Sequence, residues 1–239
     1  MRDSAIAVGF LVVGIIASPI VEDWWHENIG TTPERLSKLL QSGDINQFEN
    51  LRKQFHQKIE FEGIDLSNKN LMGVNLDSIT LRNVNLYNAN LTNATLEDSQ
   101  ISGNMTDSIL ANASLFNTIL ANAILDGADL TNADLTDGSL ANADLYSADL
   151  TNANLRDTDL TDADLYNADL TNADLTDADL RGAILNGSTL TNAILWDADL
   201  TDADLTYADL TNAFLVNAVL TGADMSGSNL TNASLRTLI

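Results

Sequence analysis

One apolar residue recurs at every fifth position through most of this 239-residue chain. It runs from Phe61 to Ile101, where a four-residue step, ISGNM, leads to Met105, and from Leu110 to Leu235 no fifth position is missed. The segment holds 36 five-residue words, nine before the short step and 27 after it. A period of five fits neither an α-helix nor an alternating strand, and it is typical of a solenoid. We expect the short step to produce a local kink or a tightened corner.

A second period of 20 residues is superimposed on the first. The residue two places before the central one is almost always small, as in Ala123 and Ala128, and the triplet TNA begins at positions 131, 151, 171, 191, 211 and 231. Four words therefore make one coil, and residues 20 apart stack. Asn112 and Asn93 extend the asparagine column backwards, 19 residues apart because of the short step. Stacked asparagines exchange side-chain hydrogen bonds between coils, so we interpret this column as structural.

The words have the form A-(D/N)-L-x-x and resemble those of the pentapeptide repeat family over about three quarters of the chain. The resemblance implies an all-β solenoid, a right-handed quadrilateral β-helix with one word on each side and four in each coil. In that fold the central and small residues point inward, which agrees with Leu and Ala being the consistently apolar positions. Residues 61–239 would form about nine 20-residue coils, a rod of ~43 Å at the spacing of stacked strands.

An apolar segment begins the chain. Residues 5–21 are uncharged, close to the lower length limit for a spanning helix, and Trp24 and Trp25 follow where interfacial aromatics occur. We interpret residues 1–25 as a membrane anchor, with a cleaved signal sequence and a buried soluble helix as alternatives. Because Arg2 precedes the segment, the positive-inside rule places the repeats outside the cytoplasm, in a periplasm or a thylakoid lumen. The alternative location is cytoplasmic.

Residues 26–60 are predicted to form a helical cap. Thr32 before Pro33 is typical of a helix start, and Asp44, three residues before Gln47, resembles a capping box. An apolar stripe at helical spacing, which we expect to cover the open end of the solenoid, consists of Phe48, Leu51 and Phe55.

Acidic residues dominate the charge. The chain has 34 Asp and Glu against 11 Lys and Arg, a formal net charge of −23. This surplus disfavours direct binding of nucleic acid and favours a basic protein partner. Residues 105–225 carry 21 acids against Arg156 and Arg181, which over six coils is ~0.65 charges per Å, compared with ~0.6 for duplex DNA. The resemblance adds that some family members mimic DNA and act on type II topoisomerases.

Two acidic columns form a candidate acidic face. Turn chemistry with solvation is the interpretation we favour for these carboxylates, with binding of a cationic partner and of divalent ions as alternatives. No word resembles an EF-hand loop or a glycine-rich calcium nonapeptide. The residues of the face are Asp137, Asp157, Asp177, Asp197, Asp159, Asp179 and Asp199.

Apolar residues occupy outward positions of two adjacent coils near the C-terminus. Ile194 and Trp196 stack on Phe214 and Val216, which lie 20 residues later. Contiguous exposed apolar surface usually marks a contact, so we predict a partner-binding or self-association patch. Packing that stabilises the last coils is the alternative. The unpaired backbone of a solenoid end also predicts self-association through the C-terminal end.

No catalytic residue, metal site or cofactor is expected. The chain has no cysteine, and its histidines, His26 and His56, lie outside the repeats. No word pairs a nucleophile with a base, and no glycine-rich phosphate loop occurs. The sequence predicts a non-catalytic interaction or scaffold rod, membrane-anchored and extracytoplasmic, with an acidic DNA mimic that inhibits a type II topoisomerase as the alternative. The resemblance also implies a cyanobacterial source, since long D/N-rich members are abundant there.

Overall fold

The computed structural model describes residues 32–55 and 58–235. The predicted anchor at 1–25, both histidines and residues 236–239 therefore lie outside the described residues. In the two described ranges, no helix is long and apolar enough to cross a membrane.

Helix α1, Pro33–Ser42, has both ends capped as the sequence indicates. The hydroxyl of Thr32 accepts the backbone N–H of Arg35, and Gly43 ends the helix in the left-handed conformation with φ of 76°. Glycine adopts this conformation without steric cost, so the chain turns directly into the next helix.

Helix α2, Ile45–Arg52, begins after Asp44, whose carboxylate accepts the backbone N–H of Gln47 at 3.0 Å. The Gln47 side chain also bonds to that carboxylate, whereas in a full capping box it would reach the backbone N–H of the cap residue. The helix start is therefore where the sequence predicts it, with half of the predicted bonding pattern.

Helix α2 closes the first end of the solenoid. Phe48 is fully buried in the same core as Leu66 of the first coil, and the other two residues of the predicted stripe pack against that core. The backbone N–H of Asn75 has no earlier coil to pair with, and it donates to the carboxylate of Glu49 at 2.7 Å. The helix thus replaces a missing coil in both apolar packing and hydrogen bonding.

Three short parallel strands form one wall near this end. They lie in the order β1, Ile59–Glu62, then β2, Ile79–Asn85, then β3, Gln100–Asn104. Beyond them each word is too short for a longer strand, and the coils are joined by isolated parallel bridges such as Asp129↔Asp149. These bridges connect residues 20 apart, so each coil stacks in parallel on the next.

Every word repeats one backbone pattern. We name its positions in chain order small, bridge, central, shoulder and corner, as in Ala163, Asp164, Leu165, Tyr166 and Asn167. The small and central side chains are buried and the others lie at the surface, with few exceptions. After each central residue a β-turn bends the chain, as where the N–H of Ala168 donates to the Leu165 carbonyl at 3.0 Å. Leu and Ala therefore fill a continuous thin core.

Corner positions share an unusual conformation. From Gly63 to Asn232 each one has positive φ. Asn, Asp and Gly tolerate this region best, and they occupy nearly all of these positions. The exceptions are Ser78, Ser147 and Tyr207. The D/N-rich composition of the words thus follows partly from the turn.

Four turns complete a coil, so the solenoid has four sides. We call them A, B, C and D, containing the central residues Leu110, Leu115, Leu120 and Leu125 respectively, and each side recurs every 20 residues. The predicted total of about nine coils includes residues beyond 235, and it stays a prediction.

The four-residue step produces a β-bulge. Strands β2 and β3 pair with an offset of 20 residues at Leu81↔Ile101 and of 19 at Val84↔Gly103. Gly103 has φ of 133°, and a Cβ atom there would lie 2.2 Å from the Val84 carbonyl oxygen. The expected kink therefore occurs within a strand, where only glycine fits, and the alternative of a tightened corner is wrong.

Candidate functional site

Carboxylates at bridge positions complete the turns. Asp169 accepts the backbone N–H of Thr171 at 2.9 Å and its hydroxyl at 2.5 Å. Asp209 and Thr211 form the same pair of bonds, and donation by Thr211 lowers the pKa of Asp209. Many acidic residues therefore have a local structural partner, in agreement with turn chemistry.

Three residues of the predicted acidic face are of this kind. Asp159, Asp179 and Asp199 occupy bridge positions on side C, where each accepts the N–H of its shoulder residue. The guanidinium of Arg181 contacts Asp179 at 2.6 Å and Asp199 at 3.9 Å. Hydrogen bonding from Arg181 lowers the pKa of Asp179. This column is thus partly neutralised.

The other four form what we call the corner Asp column, at the corner between sides B and C: Asp137, Asp157, Asp177 and Asp197. Each has φ between 55° and 59°. The amide of Asn217 donates to Asp197 at 3.1 Å, whereas no donor in residues 32–55 and 58–235 contacts the other three carboxylates. The structure therefore divides the predicted acidic face into an engaged column and an unpaired one.

The nearest cation does not neutralise the corner Asp column. Arg156 lies beside it at a shoulder position, but its guanidinium pairs with Asp174 on side B at 3.3 Å. No group of three or more metal-ligating side chains is arranged to hold an ion in the described part of the chain.

The four residues of the predicted apolar patch share one surface on side B. Ile194 and Phe214 occupy bridge positions and pair directly, while Trp196 and Val216 occupy the adjacent shoulder positions. Trp196 is 46% exposed and Phe214 42% exposed, and the other two are half-buried. We call this surface the side-B patch.

Trp196 also contributes to packing between coils. Thr176 precedes it in the same shoulder column and is only 6% exposed, although it occupies an outward position. Because Arg156 and Trp196 flank Thr176 in this column, we attribute its burial to these larger side chains. The packing interpretation thus accounts for part of the indole, and the remainder stays in contact with water.

Several exposed residues were not singled out from the sequence. Phe116 and Ile119 are exposed at the side B–C corner, and Tyr207 is 75% exposed at a corner position. The ring of Tyr207 covers Gly227, where a Cβ atom would lie 2.7 Å from it. The corner register could have revealed Tyr207, because tyrosine is unusual in that conformation.

Buried Leu and Ala columns, left-handed corners and a patterned outer surface define a repeat solenoid that presents surface residues. The chain belongs to the pentapeptide repeat family, whose members are generally structural or interaction proteins with a right-handed quadrilateral β-helix. The sequence model of the family, described as Pentapeptide repeats, matches eight copies over residues 70–103, 104–137, 139–177, 158–197 and 198–236.

Solved structures of other family proteins are similar to this chain. HetL, involved in heterocyst differentiation regulation in the cyanobacterium Nostoc sp. strain PCC 7120, is 33% identical, over 82% of this chain and 95% of HetL, with a TM-score of 0.39. Rfr23 from the cyanobacterium Cyanothece 51142 is 35% identical, over 38% of this chain and 63% of Rfr23, with a TM-score of 0.37. QnrB1, a plasmid-mediated fluoroquinolone resistance protein, is 23% identical, over 71% and 82% of the two chains, with a TM-score of 0.33. No curated protein sequence matches the chain.

Proposed function

We propose that this protein is a non-catalytic interaction rod whose side-B patch binds a protein partner. The observation that carries the proposal is the joint exposure of Trp196 and Phe214 on one regular surface. Leaving two large aromatic side chains in water is unfavourable by about 25 cal/mol per Å² of apolar area that a partner could cover. Tryptophan is also enriched among the residues that contribute most to protein–protein binding.

The surroundings of the patch favour a basic partner. Asp177 and Asp197 lie at corner positions beside Trp196, and the N–H of Asp177 donates to the Trp196 carbonyl at 2.9 Å. A partner with an apolar centre and a cationic rim would match this arrangement.

The patch is tested with the double variant Trp196→Ser/Phe214→Ser and the control Tyr146→Ser. Tyr146 is 43% exposed on side D, so its replacement removes a comparable aromatic surface elsewhere. In affinity purification from the source cells, we expect the same discrete partner with the wild type and the control, and its loss with the double variant. Equal recovery by all three proteins would show that the patch is not the contact site.

The proposal includes a location. The uncharged segment at 5–21, followed by Trp24 and Trp25, supports a membrane anchor with the repeats outside the cytoplasm. Cell fractionation with protease added to intact cells or to sealed thylakoid vesicles tests this. We expect a membrane-bound protein whose orientation agrees with extracytoplasmic repeats. A soluble cytoplasmic protein would contradict the location and leave the patch proposal standing.

An acidic DNA mimic that inhibits a type II topoisomerase is the second candidate. The observation that favours it is the distribution of charge, because residues 105–225 place four to six carboxylates on each of the four sides. A rod that is negative all round resembles duplex DNA in its electrostatic field. We expect a DNA mimic to inhibit supercoiling by gyrase, with inhibition that weakens at high salt. Unchanged supercoiling would exclude this candidate.

A further inference from the structure

Two columns run side by side along the corner between sides B and C. The N–H groups of Asn117, Asp137, Asp157 and Asp177 donate to the carbonyls of the next shoulder residues, at 2.9 to 3.1 Å. Those shoulder residues are Thr136, Arg156, Thr176 and Trp196, and the column begins one coil earlier with Phe116. Phe116 and Trp196 thus lie in the same column, four coils or ~19 Å apart at ~4.8 Å per coil.

Apolar side chains lie at both ends of this corner. Phe116 and Ile119 are 39% and 45% exposed at the first end, and the side-B patch forms the second. The intervening part is acidic and carries no apolar residue at the corner positions. The surface is therefore divided into an apolar, an acidic and a second apolar section.

The acidic section lacks a counter-ion within the described residues. Arg156 pairs with Asp174, Arg181 pairs with side C, and Asp137, Asp157 and Asp177 receive no hydrogen bond from any described donor. Carboxylates stacked at ~4.8 Å repel one another, so an approaching row of cations would be attracted to this section.

We propose that this corner binds a basic amphipathic helix of a partner protein. Cationic side chains of the helix lie over Asp137, Asp157 and Asp177, and an apolar residue near each helix end contacts Phe116 or Trp196. The inference rests on the proposed function, because the side-B patch forms one end of the helix site.

The spacing favours a helix over an extended strand. A span of ~19 Å corresponds to ~13 helical residues at 1.5 Å each. One face of a helix returns every ~5.4 Å, close to the ~4.8 Å between carboxylates, whereas side chains on one face of a strand repeat at ~6.8 Å. Long lysine and arginine side chains can absorb the remaining mismatch.

The test uses a synthetic 16-residue helical peptide with lysines along one face and a phenylalanine near each end. A second peptide carries glutamate in place of lysine. Binding is followed by the fluorescence of Trp196 in the full chain with Trp24→Phe and Trp25→Phe. We expect saturable binding of the lysine peptide that weakens with salt, and no binding of the glutamate peptide. Absence of binding by the lysine peptide would overturn the proposal.

Two triple variants separate the corner from general charge attraction. Asp137→Asn/Asp157→Asn/Asp177→Asn should weaken binding about tenfold or more, since it removes the charges at the proposed site. The matched control removes three charges from consecutive coils of side A, as Asp129→Asn/Asp149→Asn/Asp169→Asn, and should change affinity less than about twofold. Both sets preserve the turns, because asparagine is common at corners and Asn229 forms the usual bridge-position bond with Thr231 at 3.1 Å.

The outcomes distinguish this inference from the proposed function. Phe214→Ser removes part of the side-B patch and leaves the Trp196 reporter in place. Weaker binding with Phe214→Ser but not with the corner variant would preserve the patch and overturn the helix site. Equal weakening by both triple variants would show nonspecific attraction and also overturn it. Unchanged binding in the corner variant and in Phe214→Ser would contradict both proposals.

Discussion

Two corner columns have the same backbone and opposite side-chain chemistry. Asn152 and Asn172 on side A and Asp157 and Asp177 on side B all have φ between 55° and 59°. The asparagines are linked from coil to coil, with the amide of Asn172 donating to Asn152 at 3.1 Å, as the sequence predicts. The aspartates have no such bond. The turn therefore selects residues that tolerate positive φ, and the side chain then decides whether a column joins coils or presents unpaired charge.

The largest expected effect comes from breaking the core that supports both columns. Leu165→Asp would bury an unpaired carboxylate and should reduce the free energy of unfolding by more than about 3 kcal/mol. Hydrogen exchange and circular dichroism should show loss of the neighbouring coils. The control Asn167→Asp adds the same charge at a corner two residues later and should keep the fold. A well-folded Leu165→Asp variant would contradict the inward assignment.

The left-handed corner is tested at Asn172. Asn172→Val places a β-branched residue at positive φ and removes ladder bonds, so we expect a loss of about 2 kcal/mol in chemical denaturation. Asn172→Gly removes the same bonds but accepts the conformation, and should lose less than about 1 kcal/mol. Equal losses in the two variants would mean that the ladder matters and the backbone conformation does not.

Exchanging the two chemistries sharpens the comparison further. Asp157→Asn removes the middle charge of an unpaired row and should raise the melting temperature by about 1–2 °C at low salt. The reverse change, Asn152→Asp, should lower it by a similar amount. Both shifts should shrink at high salt because the repulsion is screened. Salt-independent shifts would indicate that repulsion is not the cause.

The smallest expected effect concerns pH. Burial, and then the charges of Asp144 and Asp107, raise the pKa of Asp126, so its ionised form destabilises the fold at neutral pH. Hydrogen bonds from Thr211 lower the pKa of Asp209, whose contribution is present above the unfolded pKa of about 3.9 and is lost as the pH falls. Asp126→Asn should therefore raise the melting temperature at pH 7 and Asp209→Asn should lower it, with both differences disappearing near pH 2. Shifts of the same sign at pH 7 would contradict these assignments.

Much of the architecture could be predicted because spacing determines it. The period of five assigns inward and outward positions, the period of 20 aligns the asparagine column, and the cap residues Thr32 and Asp44 mark the helix starts. The bulge at Gly103 could not be chosen over a tight corner, since only the distance from its Cβ position to the Val84 backbone decides between them. Spacing alone carries no such distance.

The candidate site was predictable in position but not in environment. The register places Trp196 beside Phe214, yet the burial of Thr176 depends on side-chain conformations that spacing does not define. The direction of the Arg156 side chain, which leaves the corner Asp column unpaired, has the same origin. Phe116 was missed because its coil contains no aromatic neighbour that would mark a patch.

The central claim is that the side-B patch is the contact surface of the rod, and site-specific photo-crosslinking tests it most directly. Benzoylphenylalanine would replace Trp196 or Phe214 in the full chain, with Tyr146 on side D and Thr151 on side A as control positions. We predict one discrete adduct of the same mass from positions 196 and 214 in the source cells, and none from positions 146 and 151. Adducts of equal yield at all four positions, or only at the controls, would contradict the account.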